Sequence, residues 1–282
     1  MSLTSVVSWS LISGYKTLLG VGRDPRCSLT SKGPTEAEKA MKKPLLKPLL
    51  TLLLVTCPSA KANDSWKRMQ GGAGARVSPT PYLAYLQGVN NQFCGGFLVA
   101  PRWVMTAAQC SEHQPLTVIL GAHTIQRREE RWQTFEVQEY HCHPDFTIPR
   151  KGNDILLLKL KGNATSNRYV KTISLVNSKV PEGTVCSTAG WGSRTSNTRL
   201  HTDNVTIIKR RDCLSRYPGL ANNLICGDSK FAGEPEKGDT GDPLVCDNTA
   251  YGIFSYKQKH LPGFYTNIVP YLPWVNSVMK SG

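Results

Sequence analysis

Six histidines and nine cysteines are the residues of this chain best suited to act as bases, nucleophiles or metal ligands. The tightest grouping is His141-Cys142-His143, whose two imidazoles would share one face of a strand. That ligand number is insufficient for a closed metal site, so no metal and no other cofactor is expected. Arg127-Arg128-Glu-Glu-Arg131, Arg150-Lys151 and Lys209-Arg210-Arg211 are runs of cations. They are either solvated loops and strand edges or sites for anions. Asn163-Ala-Thr165 and Asn204-Val-Thr206 have the acceptor pattern for N-linked glycans in a secreted chain.

The scaffold behind these groups is legible in the apolar pattern. Of the 282 residues 40% are hydrophobic and 19% charged, the composition of a globular chain rather than a disordered one. Short apolar and β-branched runs recur from Met69 onward with turn signals between them, as in 97–100, 103–106, 117–120, 155–160 and 205–208. This pattern predicts an all-β barrel or sandwich. One helix is expected at the end, where Tyr271, Leu272, Val275, Val278 and Met279 fall at helical spacing with Pro270 and Pro273 near its start.

Charge and leader set the context. The net charge is +14; residues 1–68 hold 11 Lys/Arg and 4 Asp/Glu, leaving 23 and 16 for 69–282, so each part carries +7. A moderately basic domain favours anionic partners and says nothing about fold. Residues 41–62 read as a secretory signal, with Lys42 and Lys43 before an apolar stretch over Leu49–Val55 and small residues at Ala60 and Ala62. The stretch is too short for a membrane span. Residues 1–40 are either an over-extended start or a genuine extension with a weakly apolar Val6–Leu19 segment. Residues 63–68 read as a short propeptide, with Lys67-Arg68 a trimming site before Met69.

An ordered set of motifs covers nearly all of 69–282: Gln70-Gly-Gly72, Cys94-Gly-Gly-Phe97, Thr106-Ala-Ala-Gln-Cys110, Asn153-Asp-Ile-Leu-Leu-Leu158, Ala189-Gly-Trp-Gly192, Gly238-Asp-Thr-Gly-Asp-Pro243, Ser255-Tyr256 and Pro262-Gly-Phe-Tyr265. Together they resemble the trypsin-like serine proteases. Pro81-Tyr-Leu-Ala-Tyr-Leu86 and Leu120-Gly-Ala-His123 resemble the granzyme, chymase, cathepsin G and azurocidin granule group in particular. The resemblance implies two packed antiparallel β-barrels with the active-site cleft between them. It also implies disulfides Cys94–Cys110, Cys186–Cys246 and Cys213–Cys226, which fit a secreted compartment. Cys142 is left over, either a buried thiol or an intermolecular bridge, and the buried thiol is the expectation.

The resemblance also shows what has been lost. Proteolysis of this kind needs a hydroxyl nucleophile, an imidazole to take its proton and a buried carboxylate to orient the imidazole. Gln109 stands where the family has histidine and Thr240 where it has serine; Asp154 is retained. In a subtilisin-type triad, losing the serine or the histidine alone costs about 10⁶ in turnover, or roughly 8 kcal/mol of barrier. Asp242 replaces a glycine after the nucleophile turn and is expected to be solvated or paired with a cation such as Lys237. Gly238 survives for an oxyanion-type pair of donors, and Asp239 is expected to receive a new amino terminus at Met69. The specificity pocket is implied at Glu234, Ser255, Tyr256 and Lys257, with Lys257 narrowing it. The expectation is therefore a secreted, inactive homologue, with storage in secretory granules a further expectation. It would bind heparin-like glycosaminoglycan or bacterial lipopolysaccharide through Arg127, Arg128, Arg131, Lys209, Arg210 and Arg211, with no specific nucleic acid. The alternatives are an endopeptidase that keeps its activity and a pseudoprotease that binds a protein partner.

Overall fold

The computed structural model describes residues 80–192, 199–229, 239–257 and 262–281. The upstream, signal and propeptide segments, Met69, Glu234, Lys237 and Gly238 lie outside these residues. The first half forms a closed six-stranded antiparallel barrel. Its strands are β1 (Leu83–Gln87), β2 (Phe93–Ala100), β3 (Trp103–Thr106), β4 (Thr117–Leu120), β5 (Gln133–Cys142) and β6 (Leu156–Leu160), in the order β1-β2-β3-β6-β5-β4. The turn from β1 to β2 places Asn90 and Asn91 at φ 53° and 61°, a left-handed conformation that asparagine tolerates well. All five residues of β6 are buried, including Lys159, whose Nζ donates to Glu139 at 2.6 Å.

A second sheet follows. It contains β7 (Ser174–Leu175), β8 (Val185–Gly190), β9 (His201–Ile207), β10 (Leu224–Ser229), β11 (Pro243–Cys246), β12 (Thr249–Lys257) and β13 (Gly263–Asn267). The order is β11-β8-β9-β10-β13-β12-β7, and pairing of β11 with β12 closes six of the strands into a barrel. The β11–β12 hairpin turns on Asp247 and Asn248 at φ 47° and 59°, the mirror-image turn that matches strand twist. β7 adds in parallel to the outside of β12.

The C-terminal helix α2 (Leu272–Ser281) follows a 3-10 turn at Val269–Tyr271, as the apolar spacing predicted. Pro270 and Pro273 sit at its start, where missing amide donors cost least. Val275 is buried, and Leu272, Trp274, Val278 and Met279 pack partly buried on the larger core, which joins the first barrel to this end of the chain. A second helix, α1 (Arg210–Arg216), was not foreseen. Its seven residues are too few to show an apolar period, so Lys209-Arg210-Arg211 read as loop or strand edge. Among the described residues no helix is long and apolar enough to cross a membrane.

The three expected disulfides are present: Cys94–Cys110, Cys186–Cys246 and Cys213–Cys226. The expectation of a thiol at Cys142 is corrected: this residue, half-buried at the end of β5, is disulfide-bonded. Its flanking imidazoles are taken up separately. His141 bonds Glu139 at 3.0 Å, while the His143 ring packs edge-on against Tyr271 and Trp274.

Candidate active site

The two barrels meet along β2, the 3-10 turn Ala108–His113, the turn at Thr240 and the strand β12. Asp154 is the centre of this seam and is fully buried. One carboxylate oxygen accepts the Gln109 backbone N–H at 3.0 Å. The other accepts the Ser255 hydroxyl at 2.5 Å and the Gln109 side-chain amide at 2.6 Å. The Asp154 carbonyl accepts the Thr266 hydroxyl at 3.0 Å. Burial pushes the Asp154 carboxyl above its ordinary range, while the Ser255 and Gln109 hydrogen bonds pull it back part of the way.

Gln109 therefore occupies the orienting contact an imidazole would need. Its Nε2 donates twice, to Asp154 and to the Ser255 carbonyl at 2.8 Å. Both partners are acceptors, which fixes the amide with its nitrogen toward them. The remaining Oε1 can accept a hydrogen bond. An amide oxygen cannot take a proton from a hydroxyl near neutral pH, so the geometry supplies a donor bridge between barrels and no general base.

Thr240 is buried, and its carbonyl accepts the Gly95 N–H at 2.8 Å. The next residue, Gly241, has φ 96°, and a Cβ there would fall on the Thr106 hydroxyl and the Gly95 carbonyl. The turn is thus pressed backbone to backbone against β2, which explains the glycine.

Asp242 departs furthest from expectation. It was expected to be solvated or cation-paired; it is 1% exposed, and its polar neighbour is the carboxyl of Asp239. Its carboxyl fills the space between Gly95 and Gly190, where a Cβ on either glycine would collide with it. Asp239 stands beside it and accepts the Gly192 N–H at 2.7 Å. Desolvation first, then the Asp239 charge and a side-chain hydrogen bond with Asp239, hold the Asp242 carboxyl well above the ordinary range.

Around the pocket, Ser255 is spent on Asp154, and Tyr256 stacks on Phe264 with ring centroids 4.7 Å apart. Lys257 ends β12 in register with Gly263. The roles of Ser255 and Thr266 in holding Asp154 carried no signal in the sequence. Among the basic residues, Arg127, Arg128, Lys209 and Arg211 are exposed. Arg131 is clasped by Glu129 at 2.7 Å. Arg210 is corrected from anion ligand to structural clasp. Its guanidinium donates to the carbonyls of Leu220, Ala221 and Leu224 and to Asn222 Oδ1, all within 2.9–3.1 Å. Asn163 and Asn204 are both exposed.

Two closed antiparallel barrels with a carboxylate-centred cleft between them define the chymotrypsin-like serine-protease architecture. A family profile described as Trypsin matches residues 69–275. Mouse granzyme E is 38% identical over 248 residues, covering 83% of this chain and 98% of the relative. Chymase of Papio hamadryas is 36% identical, covering 84% and 99%. A solved chain described as "Structure of GrC" superposes with a TM-score of 0.67 at 38% identity, covering 73% of this chain and 96% of its own. The chain belongs to the trypsin family of serine proteases, within its granzyme and chymase group.

Proposed function

We propose that this protein is a secreted member of the family that does not cleave peptides and acts by binding, with anionic glycans or microbial surfaces as its targets. The observation that carries the first part is the doubly donating Gln109 amide, which holds Asp154 and Ser255 together and leaves position 109 without a group to deprotonate Thr240. Without that base, turnover should fall by about 10⁶ from family levels. The binding part is supported by the exposed arginines of residues 127 and 128 and the basic balance of 69–282. Residues 41–62 serve as signal and 63–68 as propeptide in this reading. The disulfides fit the oxidising route to secretory granules or the extracellular space.

The test is hydrolysis of a mixed peptide library by the purified protein beside Gln109→His/Thr240→Ser and Gln109→His/Thr240→Ser/Asp242→Gly. The parent is expected to be silent, with activity appearing in the triple reversion if not in the double. Cleavage by the parent that survives repurification and disappears in Thr240→Ala would establish the alternative, an endopeptidase working through the threonine. Silence of the parent together with failure to bind any polyanion would leave the protein-partner reading.

A further inference from the structure

Two carboxyls share one enclosed space in the turn that carries Thr240. Asp239 is 9% exposed and Asp242 1%. A Cβ built on Gly190 would lie 2.4 Å from Asp239 Oδ1 and 2.0 Å from Asp242 Oδ2, so both oxygens converge on one point beside β8. A Cβ on Gly95 would fall 1.8 Å from Asp242 Oδ1, which closes the space on the side of β2. The backbone keeps the two side chains together. The Asp242 N–H donates to the Asp239 carbonyl at 2.9 Å, and the Asp242 carbonyl accepts the Phe254 N–H at 2.8 Å. The two carboxyls are not equivalent. Asp239 Oδ1 accepts the Gly192 N–H at 2.7 Å, a bond that favours its charged form. Asp242 is hydrogen-bonded to Asp239 through its side chain, and every influence on it among the described residues favours its neutral form. A hydrogen bond between two carboxyls needs one proton, so the proton belongs to Asp242 and is donated to the Asp239 carboxylate. The other titratable groups around the pair are Tyr82 before β1, Tyr265 on β13 and Asp203 on β9. Asp203 accepts the Ser229 hydroxyl, and its charge reaches Tyr265. These groups are neutral or negative, so they do not offset a second negative charge.

We propose that Asp239 and Asp242 form a one-proton latch on the turn that carries Thr240, closed in acid and released as pH rises. The inference goes beyond the binding reading above and holds whether or not the protein cleaves peptides. In the closed form the shared proton ties residue 242 to residue 239 across Thr240. Asp239 in turn holds Gly192, which follows the buried Trp191, so the latch also fixes the end of β8. Loss of the proton sets two like charges against each other in an enclosed space. Neither has a cation to offset it among the groups named, and buried carboxylates so placed do not both stay desolvated. The turn must then move until water reaches one of them. Outward movement of Asp239 gives that relief and releases the Gly192 N–H. The sign follows from linkage. Desolvation first, then Asp239, raises the proton affinity of Asp242 in the closed turn. The closed form therefore binds the proton more tightly than the open form, is fully favoured in acid, and loses ground as pH rises. A chain passing from an acidic compartment to neutral fluid would open this turn without any cut in the backbone.

The experiment is amide hydrogen exchange of the purified full chain between about pH 5 and about pH 8, with rates corrected for the intrinsic pH dependence of exchange. Mass spectrometry reads fragments covering 187–192 and 239–246, and fragments from β4 to β6 serve as the reference. In the parent the two fragments are expected to lose protection by about tenfold or more across this range relative to the reference, since one proton shifts the equilibrium by up to tenfold per pH unit. Asp242→Asn keeps the shape of the side chain and can donate to Asp239 without titrating. Its two fragments should change by less than about threefold over the same range, measured against the same linkage scale. Asp242→Gly removes the carboxyl altogether and should likewise show no pH-dependent loss, which keeps the test decisive should the asparagine variant fail to fold. Parent fragments that track the reference at every pH would overturn the latch. The same pH-dependent loss in either variant would also overturn it, because the titrating group would then lie elsewhere.

Discussion

Asp242→Asn tests the least expected feature of the site. The substitution keeps the shape of the side chain between Gly95 and Gly190 and removes its ability to titrate. In the folded protein the carboxyl is buried, has no hydrogen-bond donor among the described residues, and faces Asp239, with Tyr82 and Tyr265 close enough to feel its charge. Its proton is therefore held above the ordinary aspartate range. The sign follows from linkage. Above about pH 4 the unfolded chain releases this proton while the fold keeps it, so stability falls as pH rises, at about 1.4 kcal/mol per pH unit. For a domain of this size a kilocalorie moves the melting temperature by about 2–4 °C. The variant should therefore melt above the parent at pH 7.5, by about 3–6 °C for each pH unit over which the fold keeps the proton, with most of that gap gone at pH 4.5. Thermal unfolding followed by circular dichroism across this range measures it. Other carboxylates are shared by both proteins and cancel in the difference. A gap that stays constant with pH would refute the reasoning, because it would mean the folded Asp242 titrates as an ordinary aspartate does.

Three other outcomes are expected. Asp154→Asn should destabilise the fold by about 2 kcal/mol or more, because a carboxylate oxygen that accepts two hydrogen bonds is replaced in part by a donor; a chemical-denaturation midpoint unchanged from the parent would contradict the buried network. Replacing both cysteines of Cys186–Cys246, which lie 60 residues apart, should cost about 4 kcal/mol on the loop-entropy relation, against about 3 for Cys94–Cys110 at a separation of 16; denaturant melts that rank the two pairs the other way would count against an entropic origin. Enzymatic removal of N-linked glycans should shift the mobility of the protein expressed in a eukaryotic secretory system, and Asn163→Gln/Asn204→Gln should abolish that shift.

Much of this architecture was legible in the sequence, and the exceptions share a cause. Trp103–Thr106 and Thr117–Leu120 form strands with the bounds their apolar runs suggested, and the final helix follows from five apolar positions at helical spacing. Burial of one face imposes a period, and a period can be read. The motifs also paired Gln109 with Asp154 as triad positions, because spacing within a family encodes which strand ends meet, but they assigned Ser255 to the specificity pocket and not to Asp154. What could not be read is the partner of each polar group. Arg210 is as cationic in the sequence as Arg211, yet it caps the backbone carbonyls around Leu220–Leu224, and only the fold brings those carbonyls to it. Arg168 stands alone in the sequence and joins Arg131 across Tyr169 only because the chain after β6 folds back beside the β4–β5 loop. Asp242 has charged residues nearby in sequence, and its burial follows from the close packing of two glycines on β2 and β8.

The retained Asp154 is weak evidence for retained chemistry, because it has a second duty. A fully buried carboxylate at a barrel seam is costly unless donors surround it, and once Ser255 and Gln109 are arranged around it, removing the acceptor leaves those donors unpaired. An imidazole at position 109 would have supplied one donor to that carboxylate. The glutamine amide supplies that donor and a second to the Ser255 carbonyl, so the interface loses nothing in hydrogen bonding when the base is lost. An apolar residue at 109 would have left Asp154 short of a donor and weakened the contact between barrels. Asp242 runs the other way: its buried carboxyl, set against Asp239, holds its proton above the ordinary range and so costs stability as pH rises in the very turn that carries Thr240. A working nucleophile needs that turn held in one geometry. Gln109 thus preserves the seam between the barrels while Asp242 burdens the turn that carries Thr240, and both support the proposal that this protein binds rather than cleaves.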